Sequence, residues 1–270
     1  MPFLPESIRF DLWEHLYGRG RQFWPISSTA QRVEGHMYIK RGTLVRPTEG
    51  IVTDFVRKHT KIPVPVVIDN VTIGDVTTLV LSELPGESLL AVRHGVGVTD
   101  EQCHWLSQQI STLLAQLRAI PSPSEAVSGL NNTRVYCERI SLGSKPYGPW
   151  PSVAEFHAFL LRAHVEAPPD VHEKVWNSIN TAHSRTHRVC LTHNDFAPQN
   201  ILVDKDFNIT GIVDWEAAAW MPEYWEYTKS LFLPWNNTGW WSEVMSNVFT
   251  QYETEREAEF YIWEYREMYI

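Results

Sequence analysis

Apolar and polar positions divide the chain into a strand-textured first part and a mostly helical remainder. Residues 34–40 end in a strand-like stretch, and Arg41-Gly42 turns the chain. Pro47-Thr48-Glu49 predicts a helix start with Thr48 as N-cap, and Val52, Phe55, Val56 and His59 fall on one helical face. Lys61-Ile62-Pro63-Val64-Pro65 stops that helix, because each proline pushes its predecessor out of the α region. Residues 66–68 and 77–81 read as strands, and Leu84-Pro85-Gly86 breaks the pattern.

Beyond that break, Thr99-x-x-Gln102 reads as a capping box, with Leu106, Ile110, Leu113, Leu114 and Leu117 as the stripe of the helix it opens. Ser152-x-x-Glu155 predicts a second such start, and residues 170–184 a third helix. Short apolar runs follow at 189–191, 201–203 and 209–213, the last two joined by the turn-like Asp204-Lys205-Asp206-Phe207-Asn208. Helices are expected to resume at Pro222, near Trp240 and near Thr254. The expected division is a first lobe of residues 1–82 and a second of 83–270.

Composition narrows the function classes. With 43% hydrophobic and 20% charged residues in 270, the chain is ordinary for a globular protein and not for a disordered one. A formal charge of −9 disfavours a nucleic-acid backbone as partner, since that affinity rests on Lys and Arg. No apolar run reaches membrane-spanning length, so no membrane partner is expected. The start has neither a basic n-region nor an apolar h-region, and three widely spaced cysteines fit a reducing compartment; a cytoplasmic location is the expectation. Nothing in the pattern addresses oligomeric state.

The chemistry gathers late in the chain. His193-Asn194-Asp195-Phe196-Ala197-Pro198-Gln199-Asn200 has the H-x-D-x-x-x-x-N spacing of a kinase catalytic loop, in which Asp is the base and Asn a metal ligand. A predicted strand, turn and strand then lead to Asp214, 19 residues after Asp195. Such a hairpin returns Asp214 beside Asn200, where amide and carboxylate can share one Mg²⁺. A cation for nucleotide phosphates is expected in Lys40 at a strand end, set by Glu49 in the first turn of the next helix, with Asp54 the weaker partner. Adenine is expected against backbone groups of Ser82, Glu83 and Leu84. His193 is read as structural within the loop. Glu216 is a candidate for a second metal or for the acceptor, against the competing reading of a structural carboxylate.

These motifs, in order, resemble the aminoglycoside phosphotransferase-like family, and within it a fungal branch of small-molecule kinase-like proteins. The match runs from about residue 35 to 232 through Tyr38-Ile39-Lys40, Glu49 with Phe55-Val56-Arg57, Ile62-Pro63-Val64-Pro65 and Pro85-Gly86-Glu87-Ser88-Leu89. It continues in Leu191-Thr192-His193-Asn194-Asp195, Gln199-Asn200-Ile201-Leu202-Val203-Asp204, Gly211-Ile212-Val213-Asp214-Trp215-Glu216 and Pro222-Glu223-Tyr224-Trp225-Glu226-Tyr227. The resemblance implies an α+β, bilobal protein kinase-like fold, with a small antiparallel β N-lobe carrying one helix and a mainly helical C-lobe. It also implies ATP and Mg²⁺ as cofactors and phosphoryl transfer to a hydroxyl of a small molecule. Only five residues (217–221) separate Glu216 from Pro222, too few for the activation segment of a protein kinase.

One region departs from this pattern. Only 39 residues precede Lys40, a leading helix takes some, and around 20 remain for two strands and a phosphate-covering turn. Tyr17-Gly18-Arg19-Gly20-Arg21 is not followed by G-x-G-x-x-G, and Ser27-Ser28-Thr29 is the candidate hairpin tip. The alternative reading is a non-catalytic kinase-like protein that binds a nucleotide or metabolite through a degenerate covering loop. A zinc cluster of His183, His187, Cys190 and His193 is a third. Of the 12 tryptophans, Trp220, Trp225, Trp235, Trp240 and Trp241 read as C-lobe core; in the minority reading some line an acceptor cleft with Glu216, Glu223 and Glu226, which would suit a cationic or ring-containing acceptor.

Overall fold

The computed structural model describes residues 4–25, 30–93, 97–140, 145–162, 165–232 and 239–266. The chain divides into two compact units, Met1–Leu89 with Asn200–Glu216, and Leu90–Gln199 with Ala217–Ile270. The division falls after Leu89 rather than Ser82, and the segment carrying Asn200 and Asp214 goes with the first unit.

The first unit begins with helix α1 (Glu6–Phe23), then strands β1 (Gln31–Val33) and β2 (Met37–Gly42), helix α2 (Pro47–His59), and strands β3 (Val67–Ile73), β4 (Val76–Ser82) and β5 (Glu87–Ser88). An antiparallel sheet runs in the order β1-β2-β4-β3. Side chains alternate across a strand, so neighbours on β2 serve opposite faces. Ile39 joins Val33, Val71 and Val80 in a core closed by Trp13 of α1, with Phe10, Leu16 and Tyr17 packed around it. Lys40 pairs in register with Leu79, which pairs with Asn70. A Cβ on Gly50 of α2 would come within 2.6 Å of Asn70 Nδ2 and 2.9 Å of Leu79 Cδ1, so α2 covers the Lys40 face and α1 the other.

Helix α1 is the expected leading helix but takes 18 residues; where two strands and a turn were then expected, the described residues before β2 hold one strand, β1. Phe10, Trp13, Leu16 and Tyr17 recur at helical spacing, and the stripe dominates once Trp13 Nε1 donates to buried Asp69 at 2.7 Å and Arg9 also pairs with that carboxylate. Gly20 lies in α1 where a Cβ would meet Arg32 O at 2.5 Å, a close approach of helix and strand rather than a phosphate loop. The proposed tip Ser27-Ser28-Thr29 lies outside the described residues. Thr48 is not the α2 cap: Arg46 holds that position and Pro47 begins the helix.

A second sheet, β5-β8-β9, joins the chain's early and late segments within this unit, using β8 (Ile201–Val203) and β9 (Ile209–Ile212). Gly86 has φ +98, and a Cβ there would lie 2.5 Å from both Val203 O and Thr210 Oγ1; glycine is required at this junction.

The second unit holds helices α3 (Leu89–Arg93), α4 (Asp100–Ala119), α5 (Val153–Leu160), α6 (His172–His183), α7 (Trp225–Ser230), α8 (Gly239–Val248) and α9 (Glu253–Tyr265). A three-stranded sheet, β6-β10-β7, consists of β6 (Ser128–Gly129), β7 (Val189–Thr192) and β10 (Ala219–Pro222). Helix α4 carries the predicted capping box, with both reciprocal bonds between Thr99 and Gln102. Helices α6 and α9 share a core of Val175, Ile179, Ala182, Ala258 and Ile262. Among the described residues, no helix is long and apolar enough to cross a membrane.

Candidate active site

In the first unit Lys40 meets Glu49, the partner expected for it, and also Asp214, which was not expected there. Lys40 Nζ donates to Glu49 Oε1 at 2.8 Å and to Asp214 Oδ1 at 2.8 Å. Asp54 is engaged elsewhere, with Arg57 at 2.9 Å and Lys58 at 2.5 Å. Burial alone would pull the Lys40 ammonium down, but Glu49 and Asp214 outweigh it and hold it above its ordinary value. Burial pushes Glu49 up to about 7, against the pull of Lys40.

Strands β8 and β9 place Asp214, as the spacing predicted: Val213 N donates to Asn200 O at 3.0 Å just past the paired strands. Asp214 sits at φ +66, a left-handed conformation that Asp tolerates better than most residues. The 3-10 turn Trp215–Ala217 then carries Glu216, 3.6 Å from Arg46. One carboxylate oxygen each of Glu49, Asp214 and Glu216 lies within 4.8 Å of the others. Glu49 Oε2 is buried and makes no hydrogen bond. Hard oxygen donors at this density, with Asn200 buried nearby in sequence, fit a divalent cation such as Mg²⁺.

The connection expected to meet adenine is partly engaged. Ser82 N donates to Val66 O at 2.9 Å and Glu83 N to His36 O at 2.7 Å. The Glu83 carboxylate pairs with Arg32 at 2.9 Å and His36 at 2.9 Å. The Leu84 side chain lies where a Cβ on Gly211 would be, 2.6 Å away. A base reading this stretch would rely on carbonyl oxygens or on Leu84, not on the N–H groups of Ser82 and Glu83.

The second unit holds the loop bearing Asp195. Glu226 on α7 accepts from His193 N at 2.5 Å and Asn194 N at 3.0 Å, and burial pushes its carboxyl up to about 7 against those bonds. Asn194, at φ +63, is buried; its amide donates to Ala217 O and Tyr136 O and accepts from Trp225 Nε1 at 2.8 Å. His193 is fully buried and its Nδ1 accepts from Asp195 N at 3.3 Å. Lys229 Nζ lies 3.2 Å from Asp195 Oδ1.

The sequence did not reveal Glu226 or Lys229 in these places. A carboxylate and an ammonium within the aromatic run Trp225-Glu226-Tyr227-Thr228-Lys229 were the available signal, since charged residues in so apolar a turn are rarely buried without partners. Glu226 is therefore no lining of an open cleft, and Glu223 is engaged by Arg188 at 2.9 Å and Arg118 at 3.6 Å. Trp220, Trp225 and Trp241 are buried core residues; Trp235 lies outside the described residues.

Among the described residues, His183, His187, Cys190 and His193 do not converge as a metal-ligand group. His183 stacks on His157 with ring centroids 3.9 Å apart, and the carboxylates at Glu49, Asp214 and Glu216 are the convergent ligand group among the described residues. Burial, then the neighbouring histidines, lower His157 to about 3 and His183 to about 4. Both depart downward from 6.5, so their stabilising share is present above about pH 6.5 and is lost as pH falls towards 4, at about 1.4 kcal/mol per unit for each. Glu49 and Glu226 act in the opposite sense, losing stability as pH rises from 4.5 to about 7. In a ¹H–¹³C titration, the ring C–H signals of His157 and His183 are expected to stay in the neutral position from pH 7 to 5. Titration midpoints near 6.5 would refute the buried neutral pair.

A family model described as the phosphotransferase enzyme family matches residues 44–266. The chain belongs to this phosphotransferase family. The matched span includes Glu49, Asp195, Asn200, Asp214 and Lys229; Lys40 and α1 precede it. Among solved structures, this phosphotransferase-family chain is similar to the GDP and kanamycin complex of APH(2")-IIia, at 10% identity and TM-score 0.57, covering 93% of this chain and 86% of that one. It is similar to the GDP complex of wild-type aminoglycoside 2'-phosphotransferase-IIIa, at 15% identity and TM-score 0.53, covering 88% and 80%. Macrolide 2'-phosphotransferase type I matches at 11% identity and TM-score 0.56, covering 93% and 88%. At these identities the likeness is one of fold, the α+β protein kinase-like fold the motifs implied. A search of the curated proteins gives no match.

Proposed function

We propose that this phosphotransferase-family protein transfers the γ-phosphoryl group of ATP to a hydroxyl of a small molecule. The observation that carries the reading is the Lys40 ammonium, bridged at 2.8 Å to both Glu49 and Asp214 on a surface that also offers Glu216. That is a phosphate-holding cation set beside a cluster of hard ligands. In this reading Lys40 holds the nucleotide phosphates and Glu49 fixes its position. Asn200 and Asp214 would hold Mg²⁺, and Glu216 a second ion or the acceptor. When bound, the metal neutralises charge on the phosphates.

Asp195 takes the proton of the attacking hydroxyl. The acceptor oxygen bonds to phosphorus, the bond from phosphorus to the bridging oxygen breaks, and ADP leaves with that electron pair. The transition state is loose, so the protein contributes mainly positioning and fixed charge. The names of the structural neighbours point to ring-containing acceptors of the aminoglycoside or macrolide kind, and their GDP complexes make GTP the second donor to try.

The test is calorimetric titration with Mg·ATP and Mg·GTP, followed by a screen of hydroxylated, cationic and ring-containing compounds for nucleoside diphosphate release. Binding at millimolar nucleotide or better, with acceptor-dependent release, is expected. No binding at that concentration would overturn the reading. The non-catalytic reading draws on one observation: among the described residues one strand, β1, lies between α1 and the Lys40 strand β2, where two were expected. It predicts binding without turnover for every acceptor.

A further inference from the structure

Helix α7 is only six residues long and all of them are buried. Three of its side chains reach the loop bearing Asp195. Trp225 donates to the Asn194 side chain, Glu226 accepts the N–H groups of His193 and Asn194, and Lys229 donates to Asp195 Oδ1 at 3.2 Å. Lys229 follows Glu226 at i, i+3 and Trp225 at i, i+4, so each lies beside it on the helix surface.

The Lys229 pair is asymmetric. The lysine side chain is 6% exposed and the aspartate side chain 38%. Lysine is rarely buried so fully, because removing an ammonium from water is costly. An ion pair with a carboxylate this open to solvent returns little stability. Stability therefore does not account for the arrangement, and orientation of the carboxylate does. Glu226 on the same helix and Cys137 also feel the Lys229 charge, and the Phe232 ring centroid lies 5.7 Å from its Nζ.

We propose that Lys229 is a positioning residue for phosphoryl transfer, holding Asp195 by one carboxylate oxygen so that its head group stays oriented for the incoming hydroxyl. This rests on the reading of Asp195 as the base. Lys229 does not itself touch the reacting atoms; it acts through Asp195, as Glu226 and Trp225 act through the loop backbone and Asn194.

The test uses the full chain and ADP release from Mg·ATP with water as the acceptor, so no acceptor need be identified. Lys229→Met is expected to lower kcat by about 10- to 100-fold, the scale set by small misplacements of a catalytic group. KM for Mg·ATP should stay within about twofold, since Lys229 is assigned no nucleotide contact. Lys229→Arg should recover part of the loss. Lys229→Met placed in Asp195→Asn should cost nothing further, because the residue it acts through is already disabled.

Unchanged kcat in Lys229→Met, or a double variant slowed by the product of the two single losses, would overturn the proposal. Thermal melts accompany each variant. If Lys229→Met does not fold, Lys229→Gln and Lys229→Arg carry the same comparison against Asp195→Asn. Turnover unchanged by Asp195→Asn would instead overturn the assignment of the base, an outcome separate from additivity at Lys229.

Discussion

Asp195→Asn is expected to lower kcat by roughly a hundred- to ten-thousand-fold while leaving Mg·ATP binding almost unchanged. The range is that of a positioned general base, and the loose transition state favours its lower half, because proton removal there lags phosphorus–oxygen cleavage. Asparagine keeps the shape and still accepts a hydrogen bond from Lys229, 3.2 Å away in the unsubstituted chain, so the loop is expected to keep its form. Nucleotide affinity should persist because the groups assigned to the phosphates and metal are Lys40, Glu49, Asn200 and Asp214. Single-turnover kinetics with calorimetry on the same preparation check both halves. A turnover number within about threefold of the unsubstituted chain would refute the role of Asp195, and a simultaneous collapse of nucleotide affinity would show that the substitution disturbs more than the base.

The parts of this site that were legible in sequence are those encoded by local chain geometry. Asp195, Asn200 and Asp214 sit at spacings set by one loop and one short hairpin, and the turn at Asp204 that closes the hairpin is made by its own side chain, which accepts from Asp206 N and Asn208 N at 2.9 Å each. Lys40 and Glu49 are likewise a strand and the helix after it. What escaped is nonlocal. Glu226 lies 33 residues from His193 along the chain, and in sequence it read as a candidate lining of an acceptor cleft. Only its burial in α7 turns it into the anchor of the Asp195 loop. The short strand β10 was missed because Ala219-Trp220-Met221-Pro222 is buried throughout and shows no alternation.

The N-terminal error has the same origin. The expectation allowed a leading helix but left around 20 residues for two strands and a turn, whereas α1 runs on to Phe23. The tertiary partners of α1, Asp69 for Arg9 and Trp13 and the apolar face of the sheet, decided otherwise. With α1 on the face opposite Lys40, the N-terminal helix adds core to a small sheet without occupying the face where Lys40 and Glu49 meet.

Asp214→Asn carries the second large effect, and it separates function from stability. Asparagine is chosen because position 214 has φ +66, which it adopts readily, whereas alanine would add backbone strain to the chemical change. Activity is expected to fall by about a thousandfold or more, since the carboxylate proposed to hold Mg²⁺ is also one of the two on Lys40, and both roles are altered together. Folding stability should move the other way or not at all. Glu49, Asp214 and Glu216 crowd three carboxylates within 4.8 Å, and in the absence of a divalent ion Lys40 and the more distant Arg46 offset part of that charge. Removing one charge relieves that repulsion, and Glu49, whose carboxyl is raised partly by Asp214, becomes easier to ionise against Lys40. Added Mg·ATP should raise the melting temperature of the unsubstituted chain, with about 2.7 kcal/mol gained at a hundredfold excess over Kd. The same addition should leave Asp214→Asn nearly unmoved. Paired thermal melts with and without Mg·ATP measure both effects. A variant that melts several degrees lower without ligand, yet responds to Mg·ATP as fully as the unsubstituted chain, would show that Asp214 holds the fold together and not the metal.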